Sequence, residues 1–164
     1  MRLIPLLMTA TVAGGIFAGP VIGQQPDSQI DPRSVQLVKL GEQQLAAGNF
    51  KEAEDALETA LAVDPRNRAA FVDAARVAQK QALPGKAIRF TNKALLLEPN
   101  DLDAIAVQGQ AMVDLGAVPR AKENLAKLQK LCPSGCAQLS ALNAAISHGP
   151  AVASAKVPES PKTN

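Results

Sequence analysis

The feature that most constrains this chain is a spacing of 34 residues. Prolines stand at Pro65, Pro99 and Pro133, and alanines at Ala53, Ala87 and Ala121 keep the same interval. Ala60 and Ala94 are followed in phase by Leu128, and Leu57 by Thr91 and Leu125. Two small-residue phases run alongside, Gly41–Ala75–Gly109 and Gly48–Ala82–Gly116. Self-similarity at such a period is the signature of a repeat array, in which each unit buries its apolar face only by stacking on the next. The spacing divides the chain into units 34–67, 68–101 and 102–135.

Each unit reads as a helical hairpin. In the first, Leu37, Leu40, Gly41, Gln44 and Leu45 form one helical stripe. Gly48-Asn49 breaks it as a C-terminal cap, and Phe50, Ala53, Leu57 and Ala60 begin a second stripe. Asp64-Pro65 ends that helix, since the residue before proline is pushed out of the helical region. Pro84 and Pro119 fit the first turn of a second helix, where a missing N–H costs least. Asn67 and Asn100-Asp101 are suited to capping the helices that follow. Gly41 is expected to face Ala53 and Ala60, letting the paired helices approach closely. The composition agrees: 30 alanines, four Phe, no Trp and no Tyr favour helices over an aromatic-rich β core.

These residues resemble the tetratricopeptide repeat family. The pattern is Leu37-x-x-Leu40-Gly41, Gly48, Phe50, Ala53, Leu57, Ala60 and Pro65. It continues through Phe71, Ala74-Ala75, Ala87, Ala94 and Pro99, then Ile105, Gly109, Met112, Gly116, Ala121, Leu125 and Pro133. The resemblance spans roughly residues 34–147. The sequence departs from it where Leu37, Phe71, Ile105, Gln44, Ala78 and Met112 stand at places that usually hold Trp or Tyr. It implies an all-α fold: a right-handed superhelical stack of three helix-turn-helix hairpins plus a C-terminal capping helix. Residues 136–147 supply that cap, with Leu139, Leu142 and Ile146 on one side and Gln138, Ser140, Asn143 and Ser147 on the other. Residues 148–164 are expected to be a disordered tail.

The N-terminus reads differently. Met1-Arg2, a mostly apolar run from Leu3 to Ala18, and small residues up to Gly23 describe a signal peptide over 1–23, followed by a polar lead-in over 24–33. The run is too short for a membrane span, so the expectation is cleavage after Gly23 and a periplasmic or secreted product with no stable span.

The resemblance also implies a concave groove lined by the first helix of each hairpin. It would be built from Val35, Val38, Glu42 and Leu45, from Ala69, Val72, Arg76, Gln79 and Lys80, and from Asp103, Ala106, Gln110, Val113 and Asp114. Val35, Val38, Leu45, Val72 and Val113 are expected to be exposed apolar residues there, with Arg76 and Lys80 as central cations. Members that clamp a terminal carboxylate use Lys and Asn at places where Val38 and Glu42 stand, which disfavours that activity. The expected partner is a protein or peptide segment, in an adaptor that assists assembly of an envelope complex.

Little else points to chemistry. A net charge of +2 gives no footprint for nucleic acid. One His supplies no Ser-His-Asp or Cys-His set, so neither enzyme activity, a small-molecule substrate nor a cofactor is expected. Leu83-Pro84-Gly85-Lys86-Ala87 misses a phosphate loop, because Lys80 and Ala87 replace the required Gly and Ser/Thr. Glu52, Glu54, Asp55 and Glu58 read as a solvated helix face. Cys132 and Cys136 are the most distinctive pair: a disulfide bracing the last turn suits an exported protein. The alternative is an accessory redox or metal-delivery factor using the same two thiols.

Overall fold

The computed structural model describes residues 29–149. The stretch expected to be a signal peptide, 1–23, most of the expected lead-in and the expected tail from 150 onward lie outside the described residues. Among those described there are seven helices and no strand. They are α1 (Pro32–Ala46), α2 (Phe50–Val63), α3 (Arg68–Lys80), α4 (Pro84–Leu97), α5 (Leu102–Asp114), α6 (Val118–Leu131) and α7 (Ala137–His148). The first begins inside the stretch read as a lead-in, with Asp31 as its N-cap and Ile30 buried. His148 closes α7 rather than opening a tail.

Consecutive helices pair as three hairpins. The first helix of each also packs on the first helix of the next, so that α1, α3, α5 and α7 form an inner row. The repeat phases become mechanical positions. Ala53, Ala87 and Ala121 are fully buried, as are Ala60, Ala94 and Leu128, because their helices cross where only small groups or one well-placed Leu fit. Gly48, Ala82 and Gly116 all adopt the left-handed conformation that turns one helix into the next, at φ +81°, +57° and +74°. Pro32 and Pro84 open α1 and α4, Pro119 lies in the first turn of α6, and the side chains of Asn67 and Asp101 cap α3 and α5.

One expected contact is different. A Cβ on Gly41 would lie 2.6 Å from Leu57 Cγ, so Leu57, not Ala53 or Ala60, fills the space that the missing side chain leaves. In the third unit the residue nearest the equivalent Gly109 comes from outside its own hairpin. Leu142 of α7 enters that notch, its Cδ2 coming within 2.6 Å of where a Cβ would stand. Leu142 is thus the fully buried anchor of the cap, with Leu139 and Ile146 packed beside it.

Leu40 is a second correction. It belongs to the apolar helical stripe of the first unit, yet it is 43% exposed. Its counterparts one, two and three periods on are Ala74, Gln108 and Leu142, all buried. Ala74 packs with Val38, Leu57 and Ala60 of the first hairpin, and Leu142 docks on α5, so this position faces the preceding unit. Leu40 has no preceding hairpin among the described residues. At the third place the buried amide of Gln108 is satisfied by Asn92 and Asn124 on the flanking helices, at 2.7 and 3.1 Å.

Candidate functional site

The open face of the inner row carries two clefts. The first, about 290 Å³, lies between α1 and α3 and is lined by Ile30, Val35, Val38, Asn67 and Ala69. The second, about 200 Å³, is formed by α3, α5 and α7, with Arg76, Asp103, Ala106, Val107, Gln110, Ala137, Gln138 and Ala141. The first is mainly apolar and the second carries charge and amide groups.

The expected groove residues divide into two sets. Val35 (39% exposed), Glu42 and Lys80 are exposed, Leu45, Arg76, Gln79, Gln110 and Asp114 are half-buried, and the remaining valines turn inward. Val38, at 5% exposure, packs with Ala70, Ala74 and Val77 of α3. Val72 packs with Ala104, Val107 and Ala111 of α5. Val38, Val72 and Ala106 occupy one phase of the repeat, and that phase faces the next helix of the inner row. Val113 is buried with Met112 and Ala121 and touches Ile146 of the cap. Their expected exposure is therefore overturned: the period makes these positions equivalent, and the adjacent hairpin covers them. Gln79 spans the same seam, its amide donating to the Val107 carbonyl at 3.4 Å.

Arg76 is not a free cation. Its guanidinium binds Asp73 at 2.5 Å on its own helix and Asp103 of α5 at 2.8 Å. Gln138 of α7 donates to the same oxygen of Asp103 at 3.2 Å. One polar chain therefore ties three inner helices at the floor of the second cleft. Asp73 is buried, and burial pushes its carboxyl up to about 6; Arg76 works against that shift, while the Glu42 carboxylate adds to it. Burial likewise raises Asp114. With Arg76 already bound by two carboxylates, this face does not present the central pair of free cations read from the sequence.

Three features were missed in sequence. Asp73 sits among alanines without a recognisable motif; its partner Arg76 stands 3 residues on, and the second partner of Arg76, Asp103, a further 27. Gln138 was placed on the outer side of the cap but reaches inward. Glu54, read as solvated, is held by Lys86, and by Gln81 at 3.2 Å, from the next hairpin. Those bonds, Lys86 above all, keep its carboxyl below the usual range.

The ends of the hairpins are tied differently. At the first junction Ser34 Oγ donates to the Ala60 carbonyl and accepts from the Asn67 amide, both at 2.8 Å. Asp64 accepts from the Asp31 backbone at 3.0 Å and pairs with Arg66 at 2.9 Å, which holds its carboxyl well below the ordinary value. At the second junction, Arg68 and Asp101 occupy the phases of Ser34 and Asn67 and form an ion pair at 2.5 Å. At the third, those phases hold Leu102 and Gly135, and Cys132 and Cys136 approach with Cα atoms 6.0 Å apart and sulfurs within bonding distance.

Among the described residues no three His, Cys, Asp or Glu groups gather to hold a metal, and no helix is long and apolar enough to cross a membrane. The one histidine of the sequence, His148, is exposed at the end of α7.

Comparison with known proteins agrees with this architecture. Residues 44–111 match the family model described as Tetratricopeptide repeat. No curated protein matches the chain. Among solved structures, the first such domain of Spaghetti (RPAP3), bound to an HSP90 peptide, superposes with a TM-score of 0.64 at 23% identity, over 74% of this chain and 94% of that one. The TPR2B domain of yeast Sti1, in complex with pHsp70, gives 0.66 at 17% identity, covering 72% and 98%. The translocator chaperone SycD of Yersinia enterocolitica type III secretion gives 0.63 at 15% identity, covering 72% and 89%. The described helices therefore form a tetratricopeptide-repeat fold, and residues 44–111 match that family's sequence model.

Proposed function

We propose that this chain is an exported scaffold, not an enzyme, that binds a segment of a partner protein along the inner face and assists assembly of a complex in the cell envelope. The observation that carries the reading is the pair of clefts on one face. One is apolar at Val35 and Ala69, and the other is polar at Asp103, Gln110 and Gln138. Apolar walls with a few convergent polar groups suit a peptide side chain and its backbone. Domains of the same fold hold HSP90 and HSP70 segments, which supports a peptide-sized ligand without naming one. Export is supported by the charged, apolar and small-residue order of residues 1–23.

A photoreactive residue at Ala69, exposed beside the first cleft, tests the binding face. The expected result is a crosslink to one partner segment, absent when the probe sits at Glu58 on α2. Equal crosslinking from both places would refute the reading. For export, the intact mass of the mature product should begin at Gln24; a mass that retains Met1–Gly23 would refute cleavage.

A further inference from the structure

We infer that Cys132 and Cys136 form a redox clasp that holds α7, and with it the far wall of the second cleft, in place. Cys132 is the C-cap of α6 and Cys136 the N-cap of α7, so a bond between them spans only the junction. The two earlier junctions are held by Asn67 and Asp101, whose side chains also cap the next helix. Here Gly135 takes that phase, and the cap of α7 makes no side-chain hydrogen bond. The sulfur pair stands where the side-chain cap of the two earlier junctions is missing.

The helix so held has a single fully buried residue, Leu142 in the Gly109 notch, while α3 and α5 are buried along most of their length. It is the element whose local opening costs least. It also contributes Ala137, Gln138 and Ala141 to the second cleft, and Gln138 is the outer link of the Arg76–Asp103 chain. Loosening α7 therefore removes one wall and one hydrogen bond from the face proposed to bind, and the regulatory role of the clasp rests on that reading.

The pair is reachable. Pro133, Ser134 and Gly135 are exposed, and each cysteine is only half-buried. A dithiol reductant is the matching reagent. One of its thiolates attacks a sulfur of the clasp to form a mixed disulfide, and its second thiol then closes the reductant's own disulfide. The chain gains two electrons and two protons and ends with two thiols. Closing a loop of this length lowers the freedom of the open state, so reduction should raise the open population of α7 roughly 30-fold.

Hydrogen exchange of the mature chain, compared in oxidised glutathione and in dithiothreitol, tests this without any ligand. The expected result is that reduction speeds exchange in α7 by roughly 30-fold and leaves α1 to α4 within about 2-fold. The double variant Cys132→Ser, Cys136→Ser should exchange at the faster rate in both buffers. Unchanged α7 exchange on reduction, acceleration spread equally over all helices, or two free thiols in the oxidising buffer would overturn the clasp. Each of these outcomes is independent of whether the inner face captures a partner.

Discussion

The first and last junctions of this molecule solve one mechanical problem with different chemistry. At both, the end of an outer helix must be fixed to the start of the following inner one. Around Ser34, Asp64 and Asn67 this is done by a buried polar knot, with Arg66 also reaching the Gln29 carbonyl at 3.2 Å. Around Cys132 and Cys136 the corresponding phases are Leu102 and Gly135, and the polar knot is gone. The middle junction, with Arg68 and Asp101, lies between them in kind. The difference teaches that a repeat position conserves a task before it conserves a residue. Where side-chain ties are lost, local stability comes to depend on whatever replaces them.

The strongest way to break this comparison is at the middle junction. Asp101→Ala removes an ion pair to Arg68 and the 2.6 Å cap on the Ala104 amide. It should lower stability by about 3 kcal/mol, because an ion pair made by a buried carboxylate and a helix cap are lost together. Urea unfolding monitored by circular dichroism would measure it. Next comes the last junction. Replacing both cysteines by serine should cost about 2 kcal/mol in oxidising buffer and almost nothing in reducing buffer. Equal costs in both would place the effect in packing rather than in a covalent tie.

Acidity separates the polar knot from the inner face, since Asp64 and Asp73 are shifted in opposite directions. Asp73, raised to about 6, is the group whose folded form prefers the proton. As pH falls from 7 to about 4 the folded chain takes up that proton before the unfolded one does, so Asp73 should add about 2 kcal/mol of stability. Asp64, held low by Arg66, contributes stability above the ordinary carboxylate value that is lost as pH falls below about 4. Melting temperature should therefore pass through a maximum on the acid side, and Asp73→Asn should lessen the rise between pH 7 and 4, to which Asp114, also raised by burial, contributes.

The smallest expected effect compares the hairpin turns. Gly48 and Gly116 adopt positive φ without strain, whereas Ala82 at φ +57° is the one non-glycine among the described residues to do so. Ala82→Gly should stabilise the second hairpin by about 0.5–1 kcal/mol, less what the unfolded chain gains in freedom. Thermal unfolding of the single variant measures that balance.

The fold was legible because backbone requirements recur at a fixed interval. A turn needs a small residue at Gly48, Ala82 and Gly116, and a helix crossing needs Ala53, Ala87 and Ala121. The site was less legible. Periodicity says that Val38, Val72 and Ala106 are equivalent, but not whether their common side faces solvent or the next hairpin. That depends on how closely α1, α3 and α5 approach, which the spacing does not encode. Leu40 failed in the opposite direction, since a residue buried in every later unit is left outside when no hairpin precedes it among the described residues. The Arg76 chain and the Asn92–Gln108–Asn124 amides join residues from different repeats, so no local motif announces them.

Partner capture most directly tests the central claim that the inner face is the binding face. The chain from Gln24 onward would be used to pull partners from an envelope extract, alongside Ala69→Arg plus Gln110→Arg, which obstructs both clefts, and Glu58→Arg on α2 as an outer-face control. Circular dichroism first establishes equal folding. The account predicts a partner retained by the parent chain and the Glu58 variant and lost by the inner-face double variant. Equal retention by all three would contradict it.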